Sequence, residues 1–219
     1  MYVAFEGGER SGKGTQATLL TTRIGDRAKL VKEPSGIFRE LLSNKELNLN
    51  KRAQLGLYMT SMAQGLPEWP EFGLGGQTKK IFVGDRSAIS TIAYQCLSEQ
   101  LVTVQDYCKT ASIFGIHFPS VVYFMDIKPE EAFTRPNPDK DDPGGFEGLD
   151  LDFHTRLYDI YKDLMDDIHE GRLASYAGLP AINIVTLDAT KTVDEIHKEV
   201  WDDINFRLRS RGIPLTAPA

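Results

Sequence analysis

Short apolar runs alternate along this chain with longer stretches in which apolar positions recur every three or four residues. Short runs bounded by Gly, Pro or Asp predict buried strands, whereas the longer period predicts amphipathic helices. The predicted strands lie at 2–6, 28–32, 80–83, 121–125 and 181–187. The predicted helices lie at 13–24, 38–42, 53–64, 88–97, 103–114, 149–170 and 192–211. Because helices separate the strands, we expect an α/β fold with a five-stranded parallel sheet and helices on both faces.

Other signals set the boundaries of this domain. Residues 136–148 contain three prolines and three glycines with charges between them, which predicts an exposed loop or lid. Thr192 and Glu195 have the spacing of a capping box and start the closing helix. We therefore expect a single domain over residues 1–212, followed by a frayed tail at 213–219.

The composition narrows the classes of function. Lys and Arg number 25 and Asp and Glu 31, so the net charge of −6 argues against nucleic-acid binding but allows a small basic pocket. No apolar run reaches the roughly 18 residues of a membrane span, and the N-terminus lacks a secretory pattern. Cys96 and Cys108 lack metal-ligand spacing and are expected to be reduced thiols. We therefore expect a cytoplasmic protein whose partners include neither nucleic acid nor a membrane.

A glycine-rich turn joins the first predicted strand to the first predicted helix. Residues 7–13 (GGERSGK) match G-x-x-x-x-G-K in the strand-to-helix context of a phosphate-binding loop. The loop N–H groups and the helix N-terminus would bind phosphate oxygens, and Lys13 would reach the outer phosphates. Gly14 stands where Ser or Thr usually follows the lysine, so Thr15 is the candidate hydroxyl for the phosphates or for Mg²⁺.

A second polar motif follows the third predicted strand. The carboxyl ends of parallel strands form the ligand-binding edge of such a sheet, which places Asp85 and Arg86 near the phosphate loop. The carboxylate of Asp85 can hold Mg²⁺ directly or through water, and its alternative role is a helix N-cap. The guanidinium of Arg86 suits a phosphate dianion, and its alternative role is a surface ion pair.

Four segments, taken in order, resemble motifs of the thymidylate kinase family. Residues 5–16 (FEGGERSGKGTQ) are similar to F-E-G-x-[DE]-x-x-G-K-x-T-Q, and residues 33–36 (EPSG) to E-P-G-G. Residues 85–95 (DRSAISTIAYQ) are similar to D-R-Y-x-x-S-x-x-A-Y-Q, and residues 126–130 (DIKPE) to D-x-x-P-E. The ordered set is far more specific than a phosphate loop alone.

The resemblance implies a P-loop NTPase fold and a nucleoside monophosphate kinase that usually forms a homodimer. Such an enzyme transfers the γ-phosphoryl group of ATP, with Mg²⁺, to the 5′-phosphate of a deoxynucleotide. The expected acceptor is dTMP, which would give dTDP. Catalysis is mainly positioning and charge neutralisation. The residues that would bind ATP are Gly7, Gly8, Glu9, Arg10, Ser11, Gly12, Lys13, Gly14, Thr15 and Gln16. The candidate metal ligands are Thr15 and Asp85.

The resemblance also assigns residues to the acceptor nucleotide. Arg86 would hold its phosphate, to which Arg39 would add, and Glu9 would contact the sugar 3′-hydroxyl and so select deoxyribose. Tyr94 would lie near the sugar. The whole acceptor set is Glu9, Glu33, Arg39, Tyr58, Met62, Arg86, Ser90, Thr91 and Tyr94.

Members of this family carry a catalytic arginine either in the phosphate loop or in the lid. Arg10 follows Glu9 in the loop, whereas residues 136–148 contain Lys140 but no arginine, with Arg135 just before them. We therefore expect the loop-arginine subtype, in which Arg10 neutralises charge on the transferred phosphoryl group. The expected catalytic residues are Arg10, Lys13 and Arg86.

The base site departs from the family pattern. The family helix reads roughly E-L-L-L-F-A-A-D-R, and residues 54–62 read QLGLYMTSM. Tyr58 can stack on a base, but Met62 replaces the arginine that bonds the base and donates no hydrogen bond. Losing a donor to a buried base group costs ~1–3 kcal/mol of binding free energy. Thr91, Ser61 or Gln64 could supply a replacement donor. Alternatively, Tyr58 and Met62 simply pack in the core. dUMP, a 5-modified pyrimidine or several bases are therefore alternative acceptors, and the divergence would suit a viral enzyme.

Three other functions share parts of the pattern. A deoxynucleoside kinase, which phosphorylates a 5′-hydroxyl, also has a phosphate loop, an E-P pair and an [ED]-R-S triplet, and there Glu33 would be the general base. That family's tryptophan after E-P is missing here. An adenylate-kinase-like enzyme fits residues 12–15 but not residues 85–95. A catalytically silent nucleotide-binding module is the non-enzymatic alternative, although Lys13 and Arg86 are retained.

Overall fold

The computed structural model describes residues 1–66, 80–136, 150–177 and 181–213. Its strands form one five-stranded sheet in the order β2-β3-β1-β4-β5, and all neighbouring pairs are parallel. The strands are β1 (Tyr2–Glu6), β2 (Ala28–Lys32), β3 (Ile81–Asp85), β4 (Val121–Asp126) and β5 (Asn183–Asp188). The predicted parallel sheet is therefore confirmed, with ends that shift by one or two residues in β3, β4 and β5.

The helices between these strands largely follow the predicted ones. They are α1 (Lys13–Ile24), α2 (Gly36–Ser43), α3 (Lys51–Gly65), α4 (Ala88–Thr91), α5 (Val104–Ile113), α6 (Pro129–Ala132), α7 (Leu151–His169), α8 (Arg172–Ala177) and α9 (Val193–Ser210). The helix expected at 88–97 is confirmed as a helical segment, but it consists of the short α4 continued by a π-helix at Ile92–Ser98. Apolar spacing does not separate these two helix types over so few residues.

Helices cover both faces of the sheet, as the sequence predicted. Successive side chains of a strand point to opposite faces, and β4 shows this clearly. Val121, Tyr123 and Met125 pack in one core with α1 and α9. Val122 and Phe124 pack in the other core, which α3, α4, the π-helix, α5 and α7 complete.

Polar groups meet at the carboxyl ends of the central strands. Phe5 of β1 pairs with Asp85 of β3, and Lys32 of β2 pairs with the same Asp85. The N–H of Glu33 continues this pairing by donating to the carbonyl of Asp85 at 3.2 Å. The segments after β1, β2 and β3 therefore converge at one edge of the sheet, where ligands of such folds bind.

Several sequence-based expectations concern other parts of the chain. Both cysteines are free and buried. Within the described ranges, no helix combines the length and the apolar character needed to cross a bilayer. Residues 137–148 of the predicted lid, with Lys140, and residues 214–219 of the predicted tail lie outside the described residues.

Candidate active site

The phosphate loop closes around the side chain of its lysine. Gly7 and Gly12 have φ angles of +139° and +94°, which glycine adopts without the penalty that a side chain brings. Lys13 is buried, and its Nζ donates to the carbonyl of Gly8 at 2.5 Å and to Ser11 Oγ at 3.3 Å. Burial, followed by the positive charge of Arg86, lowers the pKa of Lys13 to about 8. The ammonium group therefore lies inside the loop and close to Arg86.

The structure explains why glycine follows the lysine. Asp85 Oδ2 lies 2.8 Å from the position that a Cβ at Gly14 would take, so a side chain there would displace the carboxylate. Asp85 therefore packs directly against the start of α1, where phosphates are expected to bind. Thr15 is exposed in the first turn of the same helix.

These oxygen groups fit Mg²⁺ held together with nucleotide phosphates. Mg²⁺ is usually bound by one or two carboxylates, water and substrate phosphates rather than by a cage of protein ligands. In the described ranges, no cluster of three or more His, Cys, Asp or Glu residues forms such a cage. Asp85, with Thr15 beside it, has the oxygen chemistry and the location for this shared type of site.

Arg10 contacts the segment that follows α6. Its Nη1 donates to the carbonyls of Phe133 and Arg135 at 3.3 and 3.5 Å, and its guanidinium lies 4.7 Å from the centre of the Phe133 ring. Arg135 reciprocates by donating to the carbonyls of Arg10 and Ser11 at 3.4 and 3.3 Å, and also to that of Ala189. The two arginines tie the phosphate loop to the segment that leads toward the predicted lid. A catalytic role for Arg10 stays a prediction, because here its guanidinium binds carbonyls.

Glu9, Arg86 and Tyr94 form one connected cluster, as their candidate roles require. Arg86 Nη2 forms an ion pair with Glu9, and Tyr94 Oη donates to Glu9 Oε1 at 3.0 Å. Arg86 Nη1 donates to Tyr94 Oη at 3.4 Å and to Ser90 Oγ at 3.5 Å. Burial raises the pKa of Glu9, but the charges of Arg86 and Lys13 and two hydrogen bonds outweigh it and bring the pKa to about 2. Glu9 is therefore a carboxylate that neutralises Arg86.

Sequence reasoning missed Glu6, which lies directly behind this cluster. The side chain is fully buried and accepts hydrogen bonds from Ser87 Oγ at 2.6 Å, Ser90 Oγ at 2.6 Å and Tyr161 Oη at 3.2 Å. Burial raises the pKa of Glu6, while the two serine hydrogen bonds and the charge of Arg86 oppose that increase. The available signal was a glutamate at the end of an otherwise apolar strand.

Glu33 is a second carboxyl group at this edge, held by α3. Ser61 Oγ donates to Glu33 Oε2 at 2.6 Å and accepts from the N–H of Ser35 at 3.0 Å. Glu33 Oε1 lies 2.6 Å from the position of a Cβ at Gly65, so this glycine leaves room for the carboxyl group. Burial raises the pKa of Glu33 to about 7, against the smaller opposing effect of the Ser61 hydrogen bond.

The candidate base residues lie beside the core that contains α3 and α5. Met62 is buried, and its Sδ accepts a long hydrogen bond of 3.9 Å from Tyr107 Oη, which also bonds Thr91. Tyr58 is half-buried and packs against the same core. Met62 and Thr91 therefore have packing and hydrogen-bond partners inside the protein, which fits the core-packing alternative for Met62. Ser61, a proposed replacement donor, is engaged by Glu33.

Two further candidates lie in different surroundings. Gln16 is buried, and its amide donates to the carbonyl of Val193 at 2.9 Å, so its side chain joins α1 to α9. A contact between Gln16 and ATP stays a prediction that this geometry does not favour. Arg39 lies half-buried on α2, and its contribution to the acceptor phosphate likewise stays a prediction.

Comparisons with known proteins point in one direction. Residues 5–200 match the family model described as thymidylate kinase. A thymidylate kinase of Thermosipho melanesiensis is 32% identical over 219 residues, which cover 95% of this chain and 99% of the relative. One of Sulfurimonas denitrificans is 27% identical over 211 residues, covering 94% and 100%. The crystal structure of thymidylate kinase from Ehrlichia chaffeensis matches with a TM-score of 0.59, at 18% identity, over 93% of this chain and 97% of that one.

Proposed function

The chain belongs to the thymidylate kinase family, and on this premise we propose that it transfers the γ-phosphoryl group of ATP to the 5′-phosphate of dTMP. The products would be ADP and dTDP. The observation that carries this proposal is the cluster of Glu9, Arg86 and Tyr94 beside Lys13 of the phosphate loop. The site for the phosphates of ATP and the site for the acceptor nucleotide then lie at the same edge of the sheet.

The donor side is the phosphate loop. The loop N–H groups and the N-terminus of α1 bind the phosphates of ATP, and Lys13 neutralises their charge. Lys13 exchanges its contacts with the Gly8 carbonyl and Ser11 for phosphate oxygens, which are stronger partners for an ammonium group.

The acceptor side is built around Arg86. Its guanidinium binds the phosphate of dTMP, which competes with the Glu9 carboxylate for the same donors. The acceptor oxygen is already anionic, so the transfer needs no general base from the protein. The reaction therefore depends on holding the two phosphates in line and on neutralising the charge between them.

Two more groups complete the charge neutralisation. Arg10 leaves the carbonyls of Phe133 and Arg135 and binds the transferred phosphoryl group, whose negative charge attracts it more strongly than a neutral carbonyl does. Asp85 and Thr15 would hold Mg²⁺, which would supply positive charge to neutralise the nucleotide phosphates. The place of Asp85 against Gly14 keeps that carboxylate beside the phosphates.

Selection of the acceptor involves the sugar and the base. Glu9 accepts a hydrogen bond from the 3′-hydroxyl. Tyr94 packs against the sugar, and this packing favours deoxyribose, which lacks the 2′-hydroxyl. Tyr58 stacks on the base. Because Met62 replaces the family arginine, base selection rests more on shape than on hydrogen bonds, and dUMP and other pyrimidine deoxynucleotides are the acceptors to compare with dTMP.

A turnover assay with radiolabelled ATP tests this proposal. The panel of acceptors contains dTMP, dUMP, dCMP, dGMP, ribothymidine 5′-monophosphate and the free nucleoside thymidine. We expect dTMP to give the highest kcat/KM, and Lys13→Ala to abolish the activity. Labelling of thymidine alone would instead indicate a deoxynucleoside kinase, for which Glu33, with its pKa near 7, has the properties of a general base. ATP binding without turnover of any acceptor would indicate a silent module.

We also propose that the protein acts on nucleotides in the cytoplasm as a homodimer, without nucleic-acid or membrane partners. The family resemblance supports the dimer, and the net charge of −6 supports the absence of nucleic-acid binding. Light scattering of the purified protein would measure the mass of the assembly. A mass equal to one chain at micromolar concentration would contradict the dimer.

A further inference from the structure

The buried group behind the acceptor cluster links three separate parts of the chain. Glu6 ends β1, Ser87 is the N-cap residue of α4, Ser90 lies within α4, and Tyr161 lies in the middle of α7. Glu6 and Tyr161 have no exposed surface, and the three hydroxyl groups converge on one carboxyl group. Burying a carboxylate is costly unless hydrogen bonds replace water, so these donors are what keeps it at this place.

This group is one contact away from the residues that face the acceptor. Ser90 Oγ donates a hydrogen bond to Glu6 and accepts one from Arg86 Nη1 at 3.5 Å. It therefore joins the buried carboxylate to the arginine proposed to bind the acceptor phosphate. The ring of Tyr161 meets the ring of Tyr94 edge-on, with 6.2 Å between centroids. Tyr161 therefore supports Arg86 through Ser90 and supports Tyr94 through ring packing.

The backbone of Arg86 has an unfavourable conformation that contacts with neighbouring residues hold in place. Its φ angle is +71°, a left-handed conformation that costs about 1 kcal/mol or more for a residue with a side chain. Its N–H donates to the carbonyl of Phe5 at 3.1 Å, which fixes the start of the side chain next to Glu6. The far end of the side chain is then held by Ser90, Tyr94 and Glu9. Arg86 is thus fixed at both ends before any phosphate arrives.

We propose that Glu6 and Tyr161 are positioning residues of the acceptor site, which hold Ser90 and Tyr94 so that Arg86 presents its guanidinium to the acceptor phosphate. This inference rests on the proposed function, because the acceptor is taken to be a deoxynucleoside monophosphate. Neither side chain reaches the substrate itself, since both are fully buried. Their hydrogen bonds run to Ser87, Ser90 and each other, on the acceptor side, so removing these bonds should weaken acceptor binding more than ATP binding.

The chain offers a matched pair of substitutions for the test. Tyr161→Phe removes the hydroxyl that reaches Glu6 and Ser90 and keeps the ring beside Tyr94. Tyr158→Phe removes a hydroxyl one turn earlier on α7, which donates at 2.8 Å to Asp126, a residue outside the candidate acceptor set. Both variants lose a hydrogen bond between a tyrosine and a carboxylate, and Tyr161→Phe also loses its contact with Ser90. A difference between them therefore reports the contacts at Glu6 and Ser90.

Steady-state kinetics with ATP and dTMP gives the decisive numbers. We expect Tyr161→Phe to raise the KM for dTMP about five-fold, the effect of one typical hydrogen bond, and to leave the KM for ATP within about two-fold of wild type. Glu6→Gln, which turns an amide donor toward the hydroxyls, should raise the KM for dTMP further. Tyr158→Phe should leave both constants unchanged.

Other outcomes would overturn the inference. A lower melting temperature of Tyr161→Phe with an unchanged KM for dTMP would show that the network serves stability alone. Equal changes in the constants for ATP and dTMP would show that it does not belong to the acceptor side. If wild type used a different monophosphate, the proposed preference for dTMP would fail, and the same ratio measured with that acceptor would still decide the role of Glu6 and Tyr161. If wild type turned over no acceptor, both proposals would fail.

Discussion

Replacing Glu33 with glutamine measures the energetic consequence of a partly buried carboxyl group at the carboxyl edge of the sheet. The side chain is partly buried, accepts one hydrogen bond from Ser61 and is paired with no cation among the described residues. Glutamine has nearly the same shape and can keep its amide oxygen toward the Ser61 hydroxyl. The substitution therefore removes the charge with little change in packing.

The effect should depend on pH in a defined direction. Burial raises the pKa of Glu33 from 4.5 to about 7, whereas the unfolded chain keeps the ordinary value. Between these two values the folded protein binds more protons than the unfolded chain, so the free energy of unfolding falls as the pH rises. At about 1.4 kcal/mol for each pH unit in this window, the loss is about 3 kcal/mol once both states are ionised. The Glu33→Gln variant cannot ionise here and escapes this loss.

Urea unfolding of wild type and Glu33→Gln at about pH 5 and about pH 8.5 measures the effect. Relative to wild type, we expect the variant to gain about 2.5 kcal/mol between the two conditions, because at about pH 5 the unfolded chain is already mostly ionised. Glu40→Gln is the matched control, because Glu40 is exposed on α2 and has no burial to relieve. A stability difference between Glu33→Gln and wild type that stays the same at both pH values would refute the reasoning.

Three other predictions concern the phosphate loop and the closing helix. Arg10→Ala should lower kcat on the order of 10³-fold and leave the KM values for both nucleotides within a few-fold, and unchanged kcat would count against a catalytic role. Gly14→Ser adds a Cβ only 2.8 Å from Asp85 Oδ2, so the carboxylate must move. This variant should need a higher Mg²⁺ concentration for half-maximal activity. Gly56→Ser, at a position with open space, should leave that requirement unchanged. Thr192→Ala removes the capping box of α9 and should reduce the free energy of unfolding by about 1 kcal/mol without altering the kinetics.

Local features of the sequence were sufficient to predict much of the fold. The apolar runs predicted all five strands, and β1 and β2 have the predicted ends. The signal is clearest for β1, which is buried along its whole length, because buried parallel strands need nearly continuous apolar residues. The phosphate loop and the Asp85-Arg86 pair could be placed because each is a contiguous motif at the carboxyl end of a strand. The capping box at Thr192 was also confirmed, since its hydrogen bonds span only three residues.

Contacts between distant segments could not be predicted in the same way. The bonds from Ser87, Ser90 and Tyr161 to Glu6 span 81, 84 and 155 residues, and no local pattern specifies them. Arg135 likewise reaches Ser11 across 124 residues. Tertiary packing alone decides which polar side chains leave water together and therefore must bond one another.

The sequence by itself thus determined the succession of strands and main helices along the chain, the phosphate loop and the motif that carries Arg86. Short stretches of chain encode each of these features. Only the tertiary structure decided that Glu33 is partly buried without a cation among the described residues, and that Asp85 requires glycine at position 14. The physical reason is that burial, electrostatic environment and steric fit depend on neighbours that the fold brings together from remote parts of the chain.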